Sequence, residues 1–132
     1  MTIRETTDIT GFHAHVYFDT DEREKAETLR EALGARFPLK VGPWHEKPVG
    51  PHLRPMYEVA FALDQFGPLV TWLMLHRDGL SILVHPLTGD PVADHTKTPL
   101  WLGERKPLDI DCLRRHVEQR AREEVLDRVG RM

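Results

Sequence analysis

The sequence lacks most of the features that assign a chain to a class at sight. Among its 132 residues there is one cysteine. Cys112 alone makes neither an internal disulfide nor a thiolate zinc site, and it reads as a small helix residue. Long apolar runs are missing: the longest, Leu69 to Leu75, falls far short of the roughly 18 residues a membrane span needs. An excess of one charge is missing too. Lys plus Arg is 18 and Asp plus Glu is 21, a formal net charge of −3, which argues against a nucleic-acid binder that works by neutralising phosphates. Met1 to Asp8 is polar and charged, without the apolar stretch of a secretory signal. The expectation is a soluble, cytoplasmic protein with no membrane or nucleic-acid partner. It should form a single domain over 1–132, with a core at about 9–109 and a C-terminal helix at about 109–129. A chain of this length buries roughly two-thirds of its unfolded surface, so it needs no covalent staples.

Histidine and proline are what the chain has: 8 and 10 residues. From Ile9 to Asp19 the apolar Phe12, Ala14, Val16 and Phe18 alternate with His13, His15 and Tyr17, which predicts a strand with one apolar and one histidine-bearing face. Asp19 to Gly34 reads as a helix, with a capping box at Asp19 and Glu22, a stripe of Ala26, Leu29 and Leu33, and Gly34 just past its end. Phe37, Leu39 and Val41 suggest a short edge strand beside Pro38, and Gly42 to Pro55 reads as a proline-rich loop carrying His45 and His52. Met56 to Leu63 is a strand with Glu58 on the face opposite Tyr57 and Val59. Asp64 to Arg77 is a helix, apolar nearly all round and so expected to be buried. Leu80 to His85 is a fourth strand, Pro86 to Leu108 is irregular, and a final helix begins near Asp109.

The order β-α-β-β-α-β, followed by a long loop and a helix, predicts an α+β ferredoxin-like fold: an antiparallel sheet with two helices on one face. Right-handed crossovers put the first and third strands in the middle, the fourth antiparallel beside the first, and the second beside the third. The third strand is expected to run parallel to the first. On that geometry His13, His52 and His85 crowd one end of the face away from the helices, with His15 and Glu58 one step deeper. Imidazole and carboxylate are ligands of non-haem iron, zinc or copper. A lone strand histidine is more often a hydrogen-bonded structural residue; the meeting of three segments points to a metal or catalytic site. Arg54 can anchor a substrate carboxylate through its fork, or form a surface ion pair. Tryptophans such as Trp44 and Trp101 are more often packing residues, though both lie in loops near the expected mouth. His76 suits the negative end of its helix, and His116 reads as solvated.

Four motifs in order resemble one family. Phe12-His13-Ala14-His15-Val16-Tyr17-Phe18, Gly50-Pro51-His52 with Glu58, His85-Pro86-Leu87-Thr88-Gly89, and Asp94-His95-Thr96 are similar to segments of the DOPA 4,5-dioxygenase family over about Thr10 to Asp109. The resemblance implies an extradiol dioxygenase, which opens a catechol ring with O2 beside the two hydroxyls. It implies a bound Fe(2+), or another divalent metal, with His13, His52 and His85 as leading ligands and Glu58 as a ligand or catalytic group. His15 and His95 are then the proton-transfer candidates. His15 lies about 6.5–7 Å along the strand from His13, a spacing that suits a group beside the substrate better than a second ligand. Tyr17, Trp44 and Arg54 are the candidate contacts to the catechol. A homodimer is expected to cover the open sheet face. Two other readings remain: a metal- or aromatic-binding protein without turnover, and a cofactor-free oxygenase or isomerase of the dimeric α/β-barrel type.

Overall fold

A computed structural model describes residues 1–130. The elements are β1 (Phe12–Tyr17), α1 (Arg23–Arg36), β2 (Lys40–His45), β3 (Met56–Phe61), α2 (Phe66–His76), β4 (Ile82–Pro86), α3 (Pro91–Thr96), β5 (Leu100–Leu102) and α4 (Ile110–Gly130). The sheet order is β2-β3-β1-β4-β5 and every neighbouring pair is antiparallel. This is the expected ferredoxin-like α+β arrangement with a fifth strand added at the β4 edge.

Alternation along the strands separates two faces. Phe12, Ala14 and Val16 on β1, Tyr57, Val59 and Phe61 on β3, and Ile82 and Val84 on β4 form one buried cluster with Ala26, Leu29 and Leu33 of α1 and Leu69, Val70 and Leu73 of α2. The register pairs His13 with His85 and Ala60, and His15 with Glu58 and Leu83, so these residues share the other face. Tyr17, Met56 and Leu83 pack there as a smaller cluster with Trp101 and Leu108.

Several expectations need correction. β3 runs antiparallel to β1, not parallel. A right-handed crossover makes β2 parallel to β1, and the β2–β3 hairpin then reverses β3. The start of β3, and His52 before it, therefore lies at the Tyr17 end of β1. Helix α1 runs through Gly34 to Arg36 and ends where the extended Phe37 donates its N–H to the Leu33 carbonyl. Strand β2 begins at Lys40, later than the strand expected from Phe37, and runs on to His45, into the stretch expected to be loop. It tolerates Pro43 because it is an edge strand, irregular between Val41 and Trp44. Gly42 is needed at that irregularity, since a Cβ there would lie 3.0 Å from the Glu58 carbonyl oxygen. On α2, Met74 and Leu75 are 55% and 83% exposed, so only one side of this apolar helix meets the sheet. The stretch from Pro86 to Leu108 contains α3 and β5, both too short to leave a periodic signal. No helix among the described residues is long and apolar enough to cross a membrane.

Candidate metal centre

Strand β1 contributes His13 and His15 to the face away from the helices, and β4 contributes His85. His52 arrives from a tight reversal in which Val49 and His52 exchange backbone hydrogen bonds of 3.1 and 3.0 Å. Gly50 takes the left-handed first corner of that turn, at φ 55°, and Pro51 follows, whose fixed φ suits the second corner of a type II′ turn. His95 comes from α3, which starts with Pro91 and is capped by Asp90 accepting the Ala93 N–H. The rings of these five histidines touch in a chain: His13–His85 centroids are 5.3 Å apart, His85–His15 5.2 Å, His15–His52 4.1 Å and His85–His95 4.1 Å.

Two compact groups can be drawn within this cluster, His13-His15-His85 and His15-His52-His95, each with one ligand atom per residue within 4.8 Å of the others. His15 belongs to both, and neither joins His13 to His52. The strand spacing between His13 and His15 is bridged by their side chains, whose rings lie edge to face at 6.0 Å.

The hydrogen bonds decide which ring nitrogens remain available. His85 Nδ1 lies 3.0 Å from the Pro86 carbonyl and His95 Nδ1 2.6 Å from the Pro91 carbonyl. A carbonyl only accepts, so both Nδ1 atoms carry the hydrogen and both Nε2 lone pairs are left free. His13 Nδ1 lies 3.0 Å from Glu58 Oε1, which directs its Nε2 in the same way. This is the carboxylate- or carbonyl-to-imidazole support that orients histidine ligands in metal sites. His52 Nδ1 meets the Tyr17 hydroxyl at 2.6 Å. His15 Nε2 and His85 Nε2 face each other at 3.1 Å, while the buried His15 Nδ1 has no partner. Two nitrogens bound at about 2.0–2.1 Å to one ion would stand about 3–3.4 Å apart, so the His15–His85 separation fits co-ligation.

The electrostatics keep four of these rings, His15, His52, His85 and His95, neutral. Burial, then the neighbouring His52 and His85, pushes the His15 imidazole well below its usual range. Burial lowers His52 to about 3 and His85 to about 4, with His95 the next cause for each. His95 is also lowered, mainly by burial. The hydrogen bond with His13 pulls Glu58 below the ordinary carboxylate value, so it stays ionised. Burial raises Tyr17, which stays a phenol. The result is a set of uncharged imidazoles, the protonation state in which histidine binds metal. The donor set therefore fits a divalent ion.

Two candidate substrate contacts lie elsewhere. Arg54 Nη1 pairs with Asp19 Oδ1 at 3.2 Å, in a polar cleft that Tyr17 also lines. Trp44 stacks on Phe18 at 4.1 Å and lies 5.7 Å from Tyr57, on the helix-covered side of the sheet. Tyr17 does join the cluster. Two residues named from the sequence take part in ways that it did not reveal. Trp101 of β5 stacks on Tyr17 at 5.9 Å, and a three-residue strand gave no pattern to reveal it. Asp94, 3% exposed, accepts the Thr88 N–H at 3.0 Å and the Thr88 hydroxyl at 2.5 Å, which ties α3 to the end of β4. Its position immediately before His95 was the available signal.

The Dopa 4,5-dioxygenase family model matches residues 12–112, which include all five clustered histidines. The chain belongs to the Dopa 4,5-dioxygenase family. A crystal structure of a "putative dioxygenase" from Nostoc punctiforme is 54% identical, with a TM-score of 0.84, over 86% of this chain and 98% of that one. An uncharacterized 21.2 kDa protein of Botryotinia fuckeliana is 37% identical over 123 residues, 84% of this chain and 67% of that protein. The DOPA 4,5-dioxygenase of Amanita muscaria is 32% identical over 113 residues, 79% of this chain. The match spans half of the Amanita protein's length.

Proposed function

We propose that this family member is an extradiol dioxygenase that opens a catechol ring with O2 at a non-haem Fe(II) held by His13, His15 and His85. The observation that carries the reading is the 3.1 Å separation of two buried, neutral imidazole nitrogens, His15 Nε2 and His85 Nε2, beside the Glu58-supported His13. Such an ion would supply the redox-active centre at which a catechol and O2 meet. In this assignment His15 exchanges the proton-transfer role suggested by strand spacing for ligation, and His52 moves the other way.

The remaining groups act on protons and orientation. Glu58 holds His13 in one tautomer. His95 keeps its Nδ1–H on the Pro91 carbonyl, so its Nε2 is the atom that accepts a catechol proton and later returns one. His52 extends this path to the Tyr17 hydroxyl. Burial keeps His95 and His52 neutral and ready to accept. Segment 91–108 lies over part of the histidine face through α3, Trp101 and Leu108, which leaves a second subunit less to cover than the sequence suggests. A homodimer remains part of the proposal, because Val125, Leu126 and Val129 of α4 are more than half exposed.

The test is anaerobic reconstitution with Fe(II), followed by oxygen uptake with a panel of catechols. Iron binding with stoichiometric O2 consumption and ring opening is expected. Metal binding without oxygen uptake would indicate a binding protein, and turnover that survives a chelator would indicate cofactor-free chemistry.

A further inference from the structure

Helix α4 is rooted in the domain at its first turn. Asp109 donates its N–H to the Pro51 carbonyl at 2.8 Å and accepts the Cys112 N–H at 3.0 Å, and Leu113 is buried. From Arg114 to Gly130 every residue is exposed. This makes an arm of roughly 25 Å that stands free of the domain body, and it lies beyond the family match, which ends at residue 112. A helix of this length is marginal in water on its own, so its stability has to come from packing. Leu113, Val117, Ala121, Val125 and Val129 recur at every fourth residue along it. Such a row is a ridge that fits the groove between the same ridges of a second helix, crossing it at about −50°. The small Ala121 sits at the middle, where two backbones can come close, and Val117 and Val125 flank it, 37% and 57% exposed. Beside the ridge Glu118, Arg120, Arg122 and Glu124 enter no ion pair among the described residues.

We propose that α4 is a self-pairing arm, which crosses α4 of a second copy of this chain antiparallel about a two-fold axis at Ala121. This rests on the homodimer of the proposed function and gives it a surface and an orientation. The row is small in the middle with a valine on each side, so it is self-complementary, as an isologous contact requires. In this arrangement Val117 meets Val125 of the partner subunit. Glu118 comes beside Arg122 of the partner subunit, and Arg120 beside Glu124 of the partner subunit. Charge sets the direction. The inner half, 114–120, carries three arginines and one glutamate, and the outer half, 122–130, carries two arginines and three carboxylates. Antiparallel packing lays each half against its opposite and also opposes the two helix dipoles. Exposed ion pairs of this kind add little affinity but fix partner and register. A single helix crossing buries less than the roughly 1,200 Å² at the low end of stable interfaces, so the dimer should exchange readily with monomer.

Sedimentation equilibrium of the full, iron-loaded chain should show a monomer–dimer equilibrium. Ala121→Arg sets two like charges and two long side chains at the crossing point and should weaken association about a hundredfold or more. Val125→Glu should act in the same direction. Both positions are exposed, and each histidine cluster is built within one subunit, so iron content and oxygen uptake per chain should not change. Disulfide trapping in a Cys112→Ser background reads the direction. A mixture of Val117→Cys and Val125→Cys chains should cross-link one to the other, and Val117→Cys chains alone should not. A chain that stays monomeric into the millimolar range, a dimer that both Ala121→Arg and Val125→Glu leave intact, or Val117→Cys chains that cross-link among themselves as fast as the mixture would each overturn the inference. A dimer of this kind without oxygen uptake would overturn the dioxygenase reading and leave the arm standing. Oxygen uptake by a chain that never dimerises would do the reverse.

Discussion

At the scale of single residues, the five clustered histidines differ mainly in what holds their Nδ1 atoms. His85 and His95 are fixed by backbone carbonyls, His13 by Glu58 and His52 by Tyr17; His15 Nδ1 is unheld. That difference yields two predictions. His13 is the most exposed of the proposed ligands, at 27% of its side chain, so His13→Ala should release iron and leave the melting temperature of the metal-free protein nearly unchanged. His85 is 2% exposed, and His85→Gln is the better variant there because it retains volume in the core. Metal analysis of both variants at wild-type iron content would remove them from the ligand set. His95→Ala, by contrast, should retain iron and lose about 10²–10⁴ in ring-cleavage rate, the usual contribution of a positioned acid–base group. Iron lost together with activity would make His95 a ligand and favour the His15-His52-His95 group. The candidates themselves were readable in the sequence, because period-two alternation places His13 and His15 on one face. Their partners in ligation were not, since the ring nitrogens approach through χ angles that strand spacing does not encode.

At the scale of elements, legibility followed length. The six-residue strands β1 and β3 and the long α1 and α2 left periodic traces that located them; α3, of six residues, and β5, of three, left none. The direction of β3 was misread because a crossover and a hairpin must be combined to obtain it. The convergence of His52 on the cluster survives the correction because His15, in mid-strand, can be reached from the Tyr17 end. Helix α3 shows how a short element can be functional. With so few residues it has little stability of its own. Asp90 caps it, and Asp94 anchors it to Thr88, so that His95 is held over His85. Asp94→Ala would leave the Thr88 N–H and hydroxyl unpartnered at a cost of about 1–3 kcal/mol. The expected phenotype is a lowered melting temperature with iron content intact. The catalytic rate should fall by up to about 10²-fold, as for a misplaced reacting group. Unchanged turnover in a folded, iron-loaded Asp94→Ala protein would show that α3 needs no such anchor.

At the scale of the whole molecule, the histidine cluster makes folding depend on pH in a direction that follows from burial. In the folded chain His52 titrates near 3 and His85 near 4, against 6.5 for a free imidazole, with burial the largest cause in both. Between pH 6.5 and those values the unfolded chain takes up protons at these positions and the folded chain does not. Stability is therefore complete above about pH 6.5 and is lost as the pH falls. Each such histidine removes about 1.4 kcal/mol per pH unit within the window. A domain of this kind has only about 5–15 kcal/mol in total, so two or more such groups bring unfolding within reach of mild acid. The metal-free protein should show a melting temperature that is flat from pH 8 to 7 and falls steeply below about 6. Bound Fe(II) holds the same imidazoles in their neutral form and binds the folded chain in preference to the unfolded one, so it should move the steep limb to lower pH. Thermal denaturation measured across this range, with and without Fe(II) under anaerobic conditions, checks both statements. A metal-free melting temperature that stayed level down to pH 4.5 would mean that the buried rings accept protons inside the fold, and would weaken the case that they are kept neutral for a metal.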